Sequence, residues 1–239
     1  MAVVVLVPAR NEAPRIGALL DAVVATLPGV PIIVVDGHSA DDTARVARRH
    51  GAIVVAQEGA GYASALRTGY RFALRNGATR LLQLDADGQH PPEALPLLLD
   101  ALDDANLVVG SRHGTASPGA LLRKVGNAAL ALAVRALTGV PLEDVTSGLQ
   151  ALDRTALERL APSFPTDVAD ANVRVLALRL GLHVAEIPVA MRSRDDGASM
   201  HDGPAGVRNF GRSLRAIVRE AMGPIPADGP LRGADSLGV

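Results

Sequence analysis

The sequence predicts a single α/β domain with a mostly parallel central sheet flanked by helices. Three observations predict it. Short β-branched runs alternate with segments of helical apolar spacing through the first 112 residues. The runs read as strands are apolar throughout, the pattern of strands covered on both faces. Hydrophobic residues make up 48% of the 239-residue chain, enough for one large core, and only 2% are aromatic. That core must therefore be built from Ala, Val, Leu and Ile.

"AVVVLV" (2–7) is the first strand; it lacks the basic leader of a signal peptide and stops at Pro8. Residues 12–27 space Ile16, Leu19, Leu20, Val23 and Val24 as one helix face. "PIIVVD" (31–36) is the second strand. Ser39 and Asp42 are spaced as a capping box before "TARVARRHG". "AIVVA" (52–56) is the third strand, and "YASALRTGYRFALRNG" (62–77) a helix closed by Asn76-Gly77. "RLLQLD" (80–85) is the fourth strand. "PPEALPLLLDAL" (91–102) is a helix with prolines in its first turn, and "NLVVGSR" (106–112) the fifth strand. After residue 115 the alternation stops. Residues 119–138 and 168–181 read as helices, 145–153 as a strand or extended loop, and 183–191 as a strand. Residues 204–222 form a basic amphipathic helix, suited to a membrane surface, to a partner, or to packing on its own domain. The Pro- and Gly-rich tail from 223 is expected to be disordered.

The formal net charge of −1 argues against a nucleic-acid partner. The absence of cysteine excludes disulfides and thiolate chemistry, and a cytoplasmic location is the simplest expectation. "VGNAALALAVRALTGVPL" contains Arg135 and falls short of the roughly 20 apolar residues of a membrane span. A homodimer is compatible with the sequence.

Ligands of parallel sheets bind at the carboxyl ends of the strands. Those ends carry Pro8–Glu12, Asp36–Ser39, Asp85–Gln89 and Gly110–Arg112. In "LDADGQ" the carboxylates of Asp85 and Asp87 stand at i and i+2 just past a buried strand, so both face one edge. Together they call for a cation. Hard oxygen ligands without Cys suit Mg²⁺ or Mn²⁺, whose shell is completed by water and phosphate oxygens, which points to a nucleoside diphosphate. Asp-x-Asp-Gly is also ordinary turn chemistry.

Seven fragments in register resemble one family. They are "VPARNEAPRI", "VVDGHSADDT", "GAGYASALRTG", "LDADGQHPPE", "VVGSR", "DVTSGLQALDR" and "EIPVAMRSRDDGAS". Over residues 3–203 the chain resembles the GT-A glycosyltransferases of family 2, in the dolichyl- or polyprenyl-phosphate mannosyl/glucosyltransferase-like branch. It departs from them at Leu149, where Phe is usual, and at Asn172, near which the lipid-phosphate enzymes commonly carry Glu. The resemblance implies a GT-A (Rossmann-like) domain over 1–203. Residues 1–115 would form its nucleotide-sugar half and 116–203 its acceptor half. It implies an inverting, metal-dependent transfer from a GDP- or UDP-linked sugar.

The leading acceptor is a polyprenyl phosphate at the inner membrane face. The alternatives are a small-molecule or natural-product hydroxyl, or nucleotide-sugar binding without catalysis. Asp85, Asp87 and Gln89 are the implied metal ligands. Pro8, Ala9, Arg10, Glu12, Asp36, Gly61, Asp85 and Ala86 are the implied nucleotide contacts. Asp87, Arg112 and Arg194 are expected in catalysis, and Arg123, Lys124 and Ser147 at phosphate or acceptor. A phosphate acceptor is already anionic and needs no base. A hydroxyl acceptor needs a carboxylate, for which Asp144, Asp167 and Asp170 are candidates.

Overall fold

The computed structural model describes residues 2–112, 121–192 and 203–224, with side chains described from 125 and 208 onward in the last two segments. In chain order the first half runs β1 (Val3–Ala9), α1 (Ala13–Thr26), β2 (Ile32–Asp36), α2 (Thr43–Arg49), β3 (Ile53–Ala56) and α3 (Tyr62–Arg75). β4 (Arg80–Gln83) follows, then a 3₁₀ turn at Pro92–Ala94 leading into α4 (Leu95–Ala101), and β5 (Leu107–Ser111). The second half holds α5 (Leu121–Thr138), β6 (Gln150–Asp153), α6 (Arg154–Ser163), α7 (Ala171–Arg179), β7 (Val184–Pro188) and α8 (Gly203–Met222).

The strands form one sheet in the order β3-β2-β1-β4-β6-β5-β7. β6 runs antiparallel to β4 and β5, and the remaining pairs are parallel. Alternate residues of each buried strand serve opposite faces. Val4 and Leu6 join a core with Leu66, Tyr70, Leu130, Leu157, Leu176 and Ile217. Val5 and Val7 join the core under α1, α2 and α4, with Ile16, Ala47, Leu95 and Leu98. Tyr70 meets Phe164 edge to face, with ring centroids 5.0 Å apart.

Several elements differ from expectation. β1 continues through Pro8 to Ala9. Val5 N–H donates to Pro31 on the β2 side, so alternation turns the Pro8 nitrogen toward β4. The β1–β4 ladder ends at Leu6–Gln83, so the missing donor costs no strand pairing. The capping box does not form: Ser39 Oγ accepts from Asn11 N–H, and the Asp42 carboxylate accepts from Arg45. α6 was not foreseen; its signal was Asp153, whose carboxylate caps Ala156 N–H at 2.7 Å. Within 145–153 the strand is confined to Gln150–Asp153. α8 packs on α5 and α7; Ala216 is buried, and Ile217 lies in the first core.

This topology positions the site. The parallel strands β1, β2, β4 and β5 deliver their carboxyl ends to one edge. The reversed β6 brings its amino end there, preceded by Ser147 and Gly148.

Candidate active site

At the β1–β2 corner, two loops are fastened to each other. Asn11 Oδ1 accepts from Ala40 N–H at 2.8 Å, and Glu12 N–H donates to Thr43 Oγ1 at 2.8 Å. Asp41 Oδ2 accepts from Ala13 N–H at 3.1 Å. Hydrogen bonding from Thr43 holds the Asp41 carboxyl below its usual value. Asn11 and His38 take left-handed backbone angles, φ 56° and 57°, at the ends of the two strands. Pro8 and Ala9 are buried and Arg10 is exposed. The Glu12 carboxylate lies 3.3 Å from Arg15. Asp36 ends β2; its Oδ2 accepts from Ser39 N–H at 3.3 Å. Its Oδ1 is buried and has no partner among the described residues. A buried carboxylate oxygen without a donor is costly, and a ligand hydroxyl or N–H arriving at this edge would satisfy it.

Past β4, Asp85 N–H donates to His90 Nδ1 at 2.9 Å, so that ring nitrogen is an acceptor. The Asp85 carboxylate lies between two neighbours. Tyr62 Oη–H donates to Oδ1 at 2.7 Å. Gly148 presses against Oδ2: a Cβ at that position would stand 2.3 Å from it. Behind them, the buried Gln83 amide donates to Gly148 O at 3.0 Å, and its carbonyl accepts from Tyr70 Oη–H at 2.7 Å. Desolvation and the Asp85 charge push the Tyr62 phenol above its ordinary value although the residue is 43% exposed, so it remains a donor. Ala86 is buried. Asp87 Oδ1 accepts from Gln89 N–H at 3.0 Å, an Asx turn. Gln89 O accepts from Arg192 N–H at 2.9 Å, which brings the chain after β7 onto this loop. Gly61, at φ 85°, precedes α3 and accepts through its carbonyl from Gln57 at 2.9 Å.

Among the described residues no three His, Cys, Asp or Glu side chains gather as a ready-made metal cage. The donor chemistry fits a hard dication nonetheless. Asp85 and Asp87 each receive a protein hydrogen bond on one carboxylate oxygen, Oδ1 in both cases. Two carboxylates of this kind, with water and phosphate completing the shell, is how Mg²⁺ is commonly held.

Across β5, Arg112 and Asp144 form a fork. Arg112 Nε and its terminal nitrogen donate to the two Asp144 oxygens at 2.7 and 2.6 Å, and Arg112 N–H adds a third bond at 2.9 Å. The Asp144 side chain is 2% exposed and that of Arg112 36%. The acid is thus a buried anchor for a partly exposed guanidinium. Burial would raise the Asp144 carboxyl, but the Arg112 hydrogen bonds and charge outweigh it and hold the carboxyl low. Burial likewise opposes the Arg112 charge, and Asp144, with Asp170 and Asp85 beyond, raises its pKa. Glu186 of β7 accepts from Glu143 and Asp144 N–H, each at 2.7 Å. Asn127 of α5 accepts from Thr146 Oγ1 at 3.0 Å.

The other expected bases are engaged as well. Asp170 accepts from Ser213 of α8. Asp167 accepts from Arg219 at 2.7 and 2.8 Å, which lowers its carboxyl to about 2. Asn172, where a Glu was expected, is buried and bridges Val168 O and Asp170 N–H. Ser147 is buried, and its carbonyl accepts from Arg174. The Arg123 and Lys124 side chains and all of Arg194 lie outside the described residues. Sequence reasoning missed Tyr62, Gln83 and Arg174. The last two had a legible signal: one polar residue inside an apolar strand, "RLLQL", and one inside an apolar helix, "ANVRVLAL".

A family model described as "Glycosyl transferase family 2" matches residues 4–160. The polyprenol monophosphomannose synthase of Mycolicibacterium smegmatis is 32% identical over 218 residues, 83% of this chain and 80% of that protein. The undecaprenyl-phosphate mannosyltransferase of Micrococcus luteus is 30% identical over 223 residues, covering 85% and 88%. Among solved structures, glucosyl-3-phosphoglycerate synthase from Mycobacterium tuberculosis, in complex with Mn²⁺, UDP and glucosyl-3-phosphoglycerate, superposes with a TM-score of 0.68. That match covers 92% of this chain and 78% of that one at 23% identity, a likeness of fold. The same synthase has been solved with Mg²⁺ and UDP.

Proposed function

The chain belongs to glycosyl transferase family 2 and is a glycosyltransferase, and from that premise we propose that it moves a hexose from a GDP- or UDP-linked donor to a polyprenyl phosphate at the inner face of a membrane. The two mannosyltransferase relatives support the acceptor class. The observation that carries it is the state of the acceptor-side carboxylates. Asp144, Asp167 and Asp170 are each held by a partner within the fold. A hydroxyl acceptor needs one of them as a base, whereas a phosphate arrives already ionised.

In this reading residues 1–115 hold the donor and 116–203 the acceptor. Asp36 Oδ1 accepts from a ribose hydroxyl or base N–H, beside Pro8, Ala9, Arg10 and Glu12, with Gly61 and Ala86 giving backbone approach. Asp85 and Asp87, assisted by Gln89, hold a Mg²⁺ or Mn²⁺ ion, which would supply charge neutralisation to the leaving diphosphate. A phosphate oxygen of the acceptor attacks the anomeric carbon from the face opposite the diphosphate. The new C–O bond forms as the old one breaks, its electron pair leaves with the nucleoside diphosphate, and the configuration inverts. Arg112, positioned by Asp144, is the cation assigned to phosphate oxygens. Ser147, Arg123, Lys124 and Arg194 are assigned to the phosphate or the acceptor by the resemblance.

Calorimetric titration of UDP and GDP, with and without Mn²⁺, into wild type and Asp87→Ala tests the donor half. Binding of one nucleotide is expected to depend on metal and to be lost in the variant. Metal-independent binding, unchanged by Asp87→Ala, sinks the assignment. Transfer to polyprenyl phosphate compared with a panel of hydroxyl acceptors tests the acceptor half.

A further inference from the structure

α5 and α8 pack side by side on the acceptor half, and each leaves an outer face open. On α5, Val125 and Leu132 are 57% and 67% exposed. They stand seven residues apart, with the exposed Ala128 and Ala129 between them, which is one apolar stripe along the helix. On α8, Phe210 and Leu214 turn inward against the core. The opposite side carries Arg208, Arg212 and Arg215, exposed and one helical stripe by spacing. None of the three makes an ion pair among the described residues. Val218 and Met222, 41% and 79% exposed, complete that outer face.

The charge on this surface is mainly positive; Asp167, which shares a hollow with Arg212 and Arg215, is paired with Arg219. α5 contains no acidic residue, and the one acid of α8, Glu220, is half-buried, its carboxyl raised by burial. The chain as a whole is nearly neutral, at −1, so the basic stripe is a local concentration. The surface is also continuous with the site. The apolar stripe begins at Val125, directly after Arg123 and Lys124, and two residues later in α5 Asn127 bonds Thr146 beside Asp144.

We propose that the outer faces of α5 and α8 together dock the enzyme on an anionic lipid bilayer, the apolar stripe entering the headgroup boundary and the arginines meeting lipid phosphates. This rests on the polyprenyl-phosphate reading above and adds the surface and orientation. An apolar ridge flanked by unpaired cations is what an interfacial element requires, and a protein partner would match the arginines with acids instead. Among the described residues no helix is long and apolar enough to cross a membrane, so docking is lateral. It would lay the Arg112–Asp144 edge toward the bilayer, where the phosphate of a membrane-held acceptor lies.

The test is co-sedimentation of the full chain with phosphatidylglycerol-containing vesicles and with pure phosphatidylcholine vesicles. Wild type is expected to partition to the anionic vesicles, less so at high salt. Arg212→Glu/Arg215→Glu and, separately, Leu132→Asp are each expected to lower partitioning by about tenfold or more. Leu97→Asp, on the exposed face of α4, serves as the control and is expected to bind as wild type. Failure of wild type to bind anionic vesicles, or wild-type binding by both the arginine and Leu132 variants, overturns the proposal. So does a wild-type dimer that Leu132→Asp dissolves while vesicle binding stays intact. A water-soluble short-chain polyprenyl phosphate separates the two readings. Docking variants are expected to retain transfer to it, whereas a wild type that glycosylates no polyprenyl phosphate defeats the acceptor reading and leaves the vesicle result standing.

Discussion

At the residue scale, the site is governed by close approaches that local sequence does not announce. The place of Asp85 after a strand marked it as a candidate ligand. The agents that aim it, Tyr62 and Gly148, lie 23 and 63 positions away (85 − 62 and 148 − 85). Gly148→Ala would set a methyl against the Asp85 carboxylate and turn it out of place. The expected result is a loss of transfer of about a hundredfold, of the size that an ångström-scale misplacement brings, together with weaker metal-dependent nucleotide binding. Calorimetry and turnover on the same sample check this; wild-type turnover would show that Asp85 has room to move. Asp144 illustrates the converse. From sequence it is a candidate base. In the fold its oxygens serve Arg112, so its contribution is to position a cation.

At the scale of elements, the alternating pattern predicted every strand of the first half within about two residues of its place. Buried parallel strands write their burial into an unbroken apolar run. The second half was harder to read, because β6 is short and reversed, and α6 follows it without a loop. α8 shows the limit of an amphipathic pattern: membrane, partner and core readings share one periodicity. Its inward face is core, with Ile217 fully buried beside α5 and α7. Ile217→Ala is therefore expected to destabilise the whole domain by about 2–4 kcal/mol, the cost of a core cavity. Urea unfolding checks this, and a shift below about 0.5 kcal/mol would mean that α8 is an appendage.

For the whole molecule, the Arg112–Asp144 fork joins the end of β5 to the loop before β6 and couples stability to pH. The folded Asp144 carboxyl is held low, so its contribution is present above the unfolded value, about 4. It is lost as pH falls through the folded value. Asp167, lowered to about 2 by Arg219, acts in the same direction but as an exposed pair, and so weakly. The expected outcome is that Asp144→Asn is less stable than wild type at neutral pH and loses less on acidification below about pH 4. Urea midpoints at several pH values read this, and parallel curves for the two proteins would refute it. By itself the sequence determined the class of sheet and the edge on which the strand ends gather their paired carboxylates, because burial and strand-end chemistry are written in runs of neighbouring residues. Tertiary structure decided which of those groups are available. Asp36 keeps an unpartnered oxygen, whereas Asp144, Asp167 and Asp170 are engaged. The partners that engage them lie between 32 and 52 residues away, and only folding brings such groups within hydrogen-bond distance.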